Sequence, residues 1–171
     1  LSCNMAEIAI LFVAMLLGWP LPLVPIQLLV LNLITDGAPA LALGVERGDP
    51  DIMDRRPRPV REPIINRDML AGIAVQTVAI SLAVLTAFQV GMQQNPTGAR
   101  TMAFATLSIS ELLRAYTSRS ERYSILAIGV FSNKWMQWAV LVSLAILLSI
   151  IYVPLLQPVF DTTSLAASDW L

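Results

Sequence analysis

Apolar residues run in five long blocks along the chain, and roughly 20 such residues suffice for a helix to cross the hydrocarbon core of a bilayer. The blocks lie at 1–17, 24–43, 69–90, 101–116 and 135–152, and each predicts a membrane-spanning helix. Between the first two lies GWPLPLVP, where Gly18, Pro20, Pro22 and Pro25 permit only a tight connection. These two helices are therefore expected to be antiparallel neighbours. From 44 to 68 the pattern inverts to a polar, Pro-rich run, ERGDPDIMDRRPRPVREPIINRD, which is too polar for lipid and too broken for a long helix. The shorter segments GMQQNPTGAR and TSRSERYSILAIGVFSNK make the remaining connections. The chain opens on hydrophobic sequence with no initiator Met and no signal-peptide pattern, as if a helix were entered midway. It closes with a polar stretch leading to Trp170 and Leu171, an interfacial aromatic of the kind that starts a further span. The expected architecture is all-α, a polytopic transmembrane bundle of about five spans, forming part of a longer protein.

Charge orients the bundle. Arg47, Arg55, Arg56, Arg58, Arg61 and Arg67 fall in the 44–68 loop, and Arg114, Arg119, Arg122 and Lys134 flank the connection after the fourth block. Arg100 stands on the other side. Five crossings put the two basic connections on one face, which the positive-inside rule makes cytoplasmic. Composition fits a chain in lipid: 56% of residues are hydrophobic and 13% charged, where a soluble domain carries about a quarter. A net charge of −1 leaves no basic face for nucleic acid. With no His and one cysteine, Cys3, the sequence offers no imidazole chemistry, no Cys/His zinc site and no internal disulfide.

Three acids interrupt the apolar blocks: Glu7, Asp36 and Glu111. An Asp at mid-membrane costs about 2.5–3.5 kcal/mol on insertion scales, and with Arg114 one turn beyond Glu111 at the cytoplasmic end, no Lys or Arg lies deep in the spans to pair with these three. They are either protonated or joined by a cation. Asn4 precedes Glu7 by three residues, and Asn32 and Thr35 precede Asp36 by four and three, so each set projects from one helical face. Carboxylates, amide carbonyls and a hydroxyl suit a hard cation such as Ca²⁺, which takes about 6–8 oxygens. The plainer alternative is that Asn and Thr only hydrogen-bond a neighbouring helix. Asp36 is followed by Gly37, Ala38 and Pro39, and Pro39 obstructs the carbonyl of Thr35, which predicts a helix broken at Asp36–Gly37 with freed carbonyls as further ligands. A simple proline kink is the alternative.

The segment NLITDGAPALALGVERGDPDIMDRRPR closely resembles the sixth transmembrane helix and following loop of type II P-type cation ATPases. SCNMAE is similar to the lower fifth helix of that family, and TMAFATLSISELLRAYTSRSERYSIL to its eighth helix and the loop beyond. The resemblance implies a C-terminal transmembrane domain: residues 1–17 as a truncated fifth helix, 24–43 the sixth, 69–90 the seventh, 101–116 the eighth, 135–152 the ninth and 170–171 the start of the tenth. Among subfamilies the sarco/endoplasmic-reticulum-type calcium pumps are most alike. Their metal ligands match Asn4, Glu7, Asn32, Thr35, Asp36 and Glu111, whereas sodium/potassium pumps place Asp where Asn32 stands. Ala38 departs from the Leu that calcium pumps commonly carry. The resemblance further implies that Asn4, Glu7, Thr35, Asp36 and Glu111 serve a first cation site. Asn32 and Asp36 would serve a second, completed by the fourth helix. Asp49, Asp51, Asp54, Arg55 and Arg56 would form a coupling loop against the phosphorylation domain.

No DKTG phosphorylation motif and no Gly-rich phosphate cradle occurs in the sequence, so ATP and Mg²⁺ are expected only in other domains of the intact pump. The expected partners are the remaining helices and cytoplasmic domains of that pump and the lipid bilayer. The competing readings are an autonomous cation/proton antiporter, which would usually show paired halves with matching broken helices, and a structural membrane module, which would not need unpaired acids.

Overall fold

A computed structural model describes residues 1–49, 51–54, 65–96, 98–120 and 123–170. Arg55, Arg56, Arg58, Arg61, Arg122 and Leu171 lie outside the described residues. Helix α1 spans Ser2–Leu16 and ends where Gly18, at φ +66, reverses the chain. After the Pro-rich connection, Pro25 occupies the first turn of α2 (Pro25–Val30), and the Gln27 side chain accepts from the Val24 N–H at 3.2 Å. A π-helix, Leu31–Asp36, follows without a gap and runs directly into α3 (Gly37–Gly44). Then come α4 (Arg67–Gln94), opened by Asn66 accepting from the Met69 N–H at 2.7 Å, and α5 (Ala99–Thr117). The short α6 (Ile125–Ile128), α7 (Lys134–Tyr152), the short α8 (Gln157–Phe160) and a 3₁₀ turn at Ala167–Trp170 complete the described chain.

The described residues are all helical or irregular, as expected of a helical membrane bundle. By length and composition, three of these helices are long and apolar enough to cross a membrane: Pro25–Gly44, Arg67–Gln94 and Lys134–Tyr152. α1 is apolar but has 15 residues. α5 fails on composition for a physical reason, because it is the helix most enclosed by protein. Thr101, Ser108 and Glu111 are buried on it alongside Phe104 and Leu107, with α4, the π-helix and α7 packed around it. Its Thr106, Ser108 and Ser110 hydroxyls return hydrogen bonds of 2.7–2.8 Å to carbonyls four residues back. A protein-facing helix in a bilayer need not be apolar. Association of such helices depends on packing and hydrogen bonds rather than on escape from water.

The core joins Ile10 of α1, Leu31 of the π-helix, Val84 and Phe88 of α4, Phe104 and Leu107 of α5, and Leu147 and Ile150 of α7. α4 and α5 approach closely at Gly91, where an added Cβ would stand 2.7 Å from the Ala99 Cα. Leu41, Leu82, Trp135 and Trp138 face outward as a lipid-exposed belt does.

One sequence expectation is corrected. The helix does not unwind at Asp36–Gly37: Gly37 keeps φ −66 and ψ −48, and the irregularity is a change of helix type over the preceding six residues. A π turn is a wider helical turn that relieves strain locally, so the chain accepts Pro39 while its backbone stays helical. Along its backbone α1 lies closest to α4, although the expected antiparallel pairing with the helix that follows it in sequence is present. It meets that helix through polar side chains. Asn32 reaches Glu7 and Asp36 lies by Cys3, a descending register that makes the two antiparallel.

The connections sort into two ends. At one, Arg100 pairs with Asp161 and donates to the Leu21 carbonyl at 3.1 Å, while the Gln27 amide reaches the Phe160 carbonyl at 3.0 Å. At the other, Arg119 forms a two-pronged pair with Glu46 at 2.8 and 2.9 Å and donates to the Gly129 and Val130 carbonyls. Asn133, at the start of α7, also donates to Glu46 at 2.7 Å. Here Asp49 accepts from Ser120 at 2.8 Å.

Candidate cation site

The six residues singled out in the sequence come from three helices: Asn4 and Glu7 on α1, Asn32, Thr35 and Asp36 on the π-helix, and Glu111 on α5. In an α-helix, positions 32, 35 and 36 would share one face. Bonding from i to i+5 turns each residue through less than the α-helical step and spreads the three around the axis. Asn32 therefore faces α1 while Thr35 faces α5.

Asn32 links the first group. Its Oδ1 accepts from the Asn4 amide at 3.1 Å, and its Nδ2 donates to both Glu7 carboxylate oxygens, at 3.3 and 3.4 Å, and to the Leu28 carbonyl at 2.9 Å. Thr35 links the second group. Its Oγ1 lies 2.7 Å from the Leu31 carbonyl and 2.6 Å from Glu111 Oε2. Thr35 and Glu111 are each 2% exposed and Glu7 is 8% exposed, so the carboxylates are largely removed from water. As anions, Glu7 and Glu111 would be acceptors only, with no proton of their own to share. Glu111 Oε1 is buried with no hydrogen-bond partner among the described residues. Arg114, one turn beyond, is directed instead to Ser2 Oγ at 3.3 Å and Thr117 Oγ1 at 2.7 Å.

Asp36 completes the convergence. A carboxylate oxygen of Asp36, one of Glu111 and the Cys3 Sγ all lie within 4.8 Å of one another. The six residues thus fall in two groups about the π-helix, Asn4, Glu7 and Asn32 on the α1 side and Thr35, Asp36 and Glu111 on the α5 side. A groove of about 1010 Å³ opens onto Cys3, Asn4, Asn32, Asp36 and Glu111. Anionic oxygens that face each other away from water require a cation or a proton between them.

Three participants were missed in the sequence. Cys3 sits one helical turn before Glu7, a spacing that could have flagged it. Ser143 of α7 donates to the Ile34 carbonyl at 3.0 Å and braces the π-helix from outside. Nothing distinguishes it from the other serines of that apolar block. The Glu46–Arg119 pair also went unread, because its partners are 73 residues apart. The guanidinium hydrogen bonds hold the Glu46 carboxyl below the usual carboxylate range, and Glu46 in turn raises Arg119. Of the coupling-loop residues, Asp51 and Asp54 lie in a turn beside Asp49, while Arg55 and Arg56 are outside the described residues.

The model of the family described as cation transporting ATPase, C-terminus, matches residues 20–171. A calcium-transporting ATPase of Bacillus subtilis is 40% identical over 174 residues, covering 100% of this chain and 19% of that protein. Calcium-transporting ATPase 1 of Yarrowia lipolytica and calcium-transporting ATPase type 2C member 1 of Mus musculus are each 36% identical, again over 100% of this chain and 19% of their own length. The chain spans about a fifth of the length of the relatives it matches.

Proposed function

The chain belongs to the family of cation-transporting ATPase C-terminal regions, and on that premise we propose that it supplies the transport-site ligands of an ATP-driven pump that moves Ca²⁺ out of the cytoplasm. The observation that carries this reading is the approach of Asp36 and Glu111 from two helices, with Glu7 held beside them on Asn32 and Glu111 Oε1 buried without a donor among the described residues. Asn4, Glu7, Thr35, Asp36 and Glu111 serve one cation site. Asn32 and Asp36 serve a second, whose other ligands come from helices outside this chain. Ca²⁺ takes about 6–8 oxygens in an adaptable cage, which this donor set suits. The relatives' names, all calcium-transporting ATPases, support the choice of ion.

When the cation leaves, the hydrogen-bond geometry accommodates a proton in its place. Thr35 has one hydroxyl proton and two oxygens within reach. A protonated Glu111 donates from Oε2 to Thr35 Oγ1 while Thr35 donates to the Leu31 carbonyl. ATP binding and phosphoryl transfer from ATP to the protein belong to domains elsewhere in the pump, where Mg²⁺ is also required. The loop carrying Asp49, Asp51, Asp54, Arg55 and Arg56 lies on the cytoplasmic side and meets the phosphorylation domain. The Glu46–Arg119 pair, which fixes the root of that loop to the end of the ligand-bearing helix, supports such coupling.

Ca²⁺ binding to the purified full-length protein tests this reading. Asp36→Asn, which alters the ligand shared by both sites, is expected to remove all specifically bound Ca²⁺; a variant that keeps the wild-type stoichiometry overturns the assignment.

A further inference from the structure

We propose that Cys3, Asp36 and Glu111 form a thiolate–dicarboxylate site for a thiophilic divalent cation of the Zn²⁺ and Cd²⁺ class, at which such an ion competes with the transported one. The inference rests on the reading of Asp36 and Glu111 as cation ligands and adds to it a soft donor. Cys3 is 6% exposed on the inner face of α1, one turn from Glu7. Its sulfur and one oxygen from each of Asp36 and Glu111 lie within 4.8 Å of one another, on three separate helices. In a tetrahedral set, bonds of about 2.3 Å to sulfur and about 2.0–2.2 Å to oxygen place ligand atoms roughly 3.3–3.6 Å apart. The present arrangement closes on an ion by side-chain movements of up to about 1 Å.

The second observation is independent of the cysteine. Glu111 is almost wholly buried, and its Oε1 has no hydrogen-bond partner among the described residues. The groove that opens onto Cys3, Asp36 and Glu111 gives an ion and water a way in. Three protein ligands and one water make the open tetrahedral set that a d¹⁰ cation accepts, whereas Ca²⁺ gains little from sulfur. On binding, the metal–sulfur bond replaces the S–H bond, and the thiol proton leaves to water in the groove.

Cys3 is the one cysteine in the sequence, so a thiolate-to-metal charge-transfer band in the ultraviolet reports this site and no other. The 171-residue chain in lipid nanodiscs is titrated with Cd²⁺, alongside Cys3→Ser, Asp36→Asn and Glu111→Gln. The expected result is a saturable band in the wild type that is absent from Cys3→Ser. In each carboxylate variant its midpoint should shift to at least about tenfold higher Cd²⁺, since changes even beyond the first ligands cost that much. Alkylation of Cys3 by a maleimide should be slowed by Cd²⁺ in the same concentration range. No band in the wild type overturns the proposal, as does a band whose midpoint ignores both carboxylate substitutions. Ca²⁺-independent phosphorylation of the full-length pump, with the Cd²⁺ band intact and carboxylate-dependent, would remove the calcium reading and leave this site standing.

Discussion

Thr35 sits where one hydroxyl serves two oxygens, the Leu31 carbonyl and the buried Glu111 carboxyl. Thr35→Val keeps the shape but leaves Glu111 Oε2 without this partner, and an unserved buried polar group costs about 1–3 kcal/mol. The variant is expected to unfold at lower temperature than Thr35→Ser, which keeps the hydroxyl. Equal midpoints would show that the contact is idle. At the far end of the same helix, Glu46 and Arg119 form a pair with side chains 11% and 0% exposed. Glu46→Gln leaves a buried guanidinium without its counter-charge, a change that costs about 3–5 kcal/mol in comparable sites. Because Glu46 titrates below its unfolded value in the folded chain, its contribution is complete at neutral pH and is lost as pH falls through that lowered value. The gap in thermal midpoint between wild type and Glu46→Gln should therefore narrow on acidification. A gap that widens contradicts the pairing.

At the scale of elements, the informative one is the π-helix. The acid, the glycine and the proline in TDGAP were legible as a disturbance in an apolar helix, and the polar residues proposed as ligands around it were picked out by their spacing. The form of the disturbance was not, because whether a helix unwinds, kinks or widens depends on what braces it. Here Ser143 holds the Ile34 carbonyl, and the Asn32 and Thr35 side chains occupy the Leu28 and Leu31 carbonyls. Those contacts come from tertiary structure and from the π register itself. Pro39→Ala restores a backbone N–H and removes the ring clash with Thr35. The expected outcome is a return toward α-helical register that swings Thr35 away from Glu111, seen as loss of cation affinity in the full-length protein with helix content unchanged. Affinity equal to wild type would show that the π-helix does not depend on Pro39. α5 makes the complementary point: its polar residues weaken it as a span by composition, yet they mark it as the helix that faces its neighbours.

At the scale of the whole molecule, alternating apolar and polar blocks revealed the sequence of helices and the two groups of connections. Sequence did not reveal that α1 would lie against α4, because the pairing of helices distant in sequence depends on how their side chains fit together, which periodicity does not read. On the proposed reading, the chain by itself supplies three carboxylates, Glu7, Asp36 and Glu111, but only part of a Ca²⁺ cage. Expressed alone, it is expected to insert with the 44–68 loop on the cytoplasmic side while binding Ca²⁺ weakly. Isothermal titration in nanodiscs checks the second point, and a tight saturable transition at micromolar Ca²⁺ would show a site complete without further helices. The central claim is that these helices hold the Ca²⁺ sites of an ATP-driven pump, and cation-dependent phosphorylation of the full-length protein by ATP tests it most directly. Micromolar Ca²⁺ should trigger formation of the phosphorylated enzyme, and Asp36→Asn should abolish the response. Phosphorylation driven by Na⁺ and indifferent to micromolar Ca²⁺ would contradict the account.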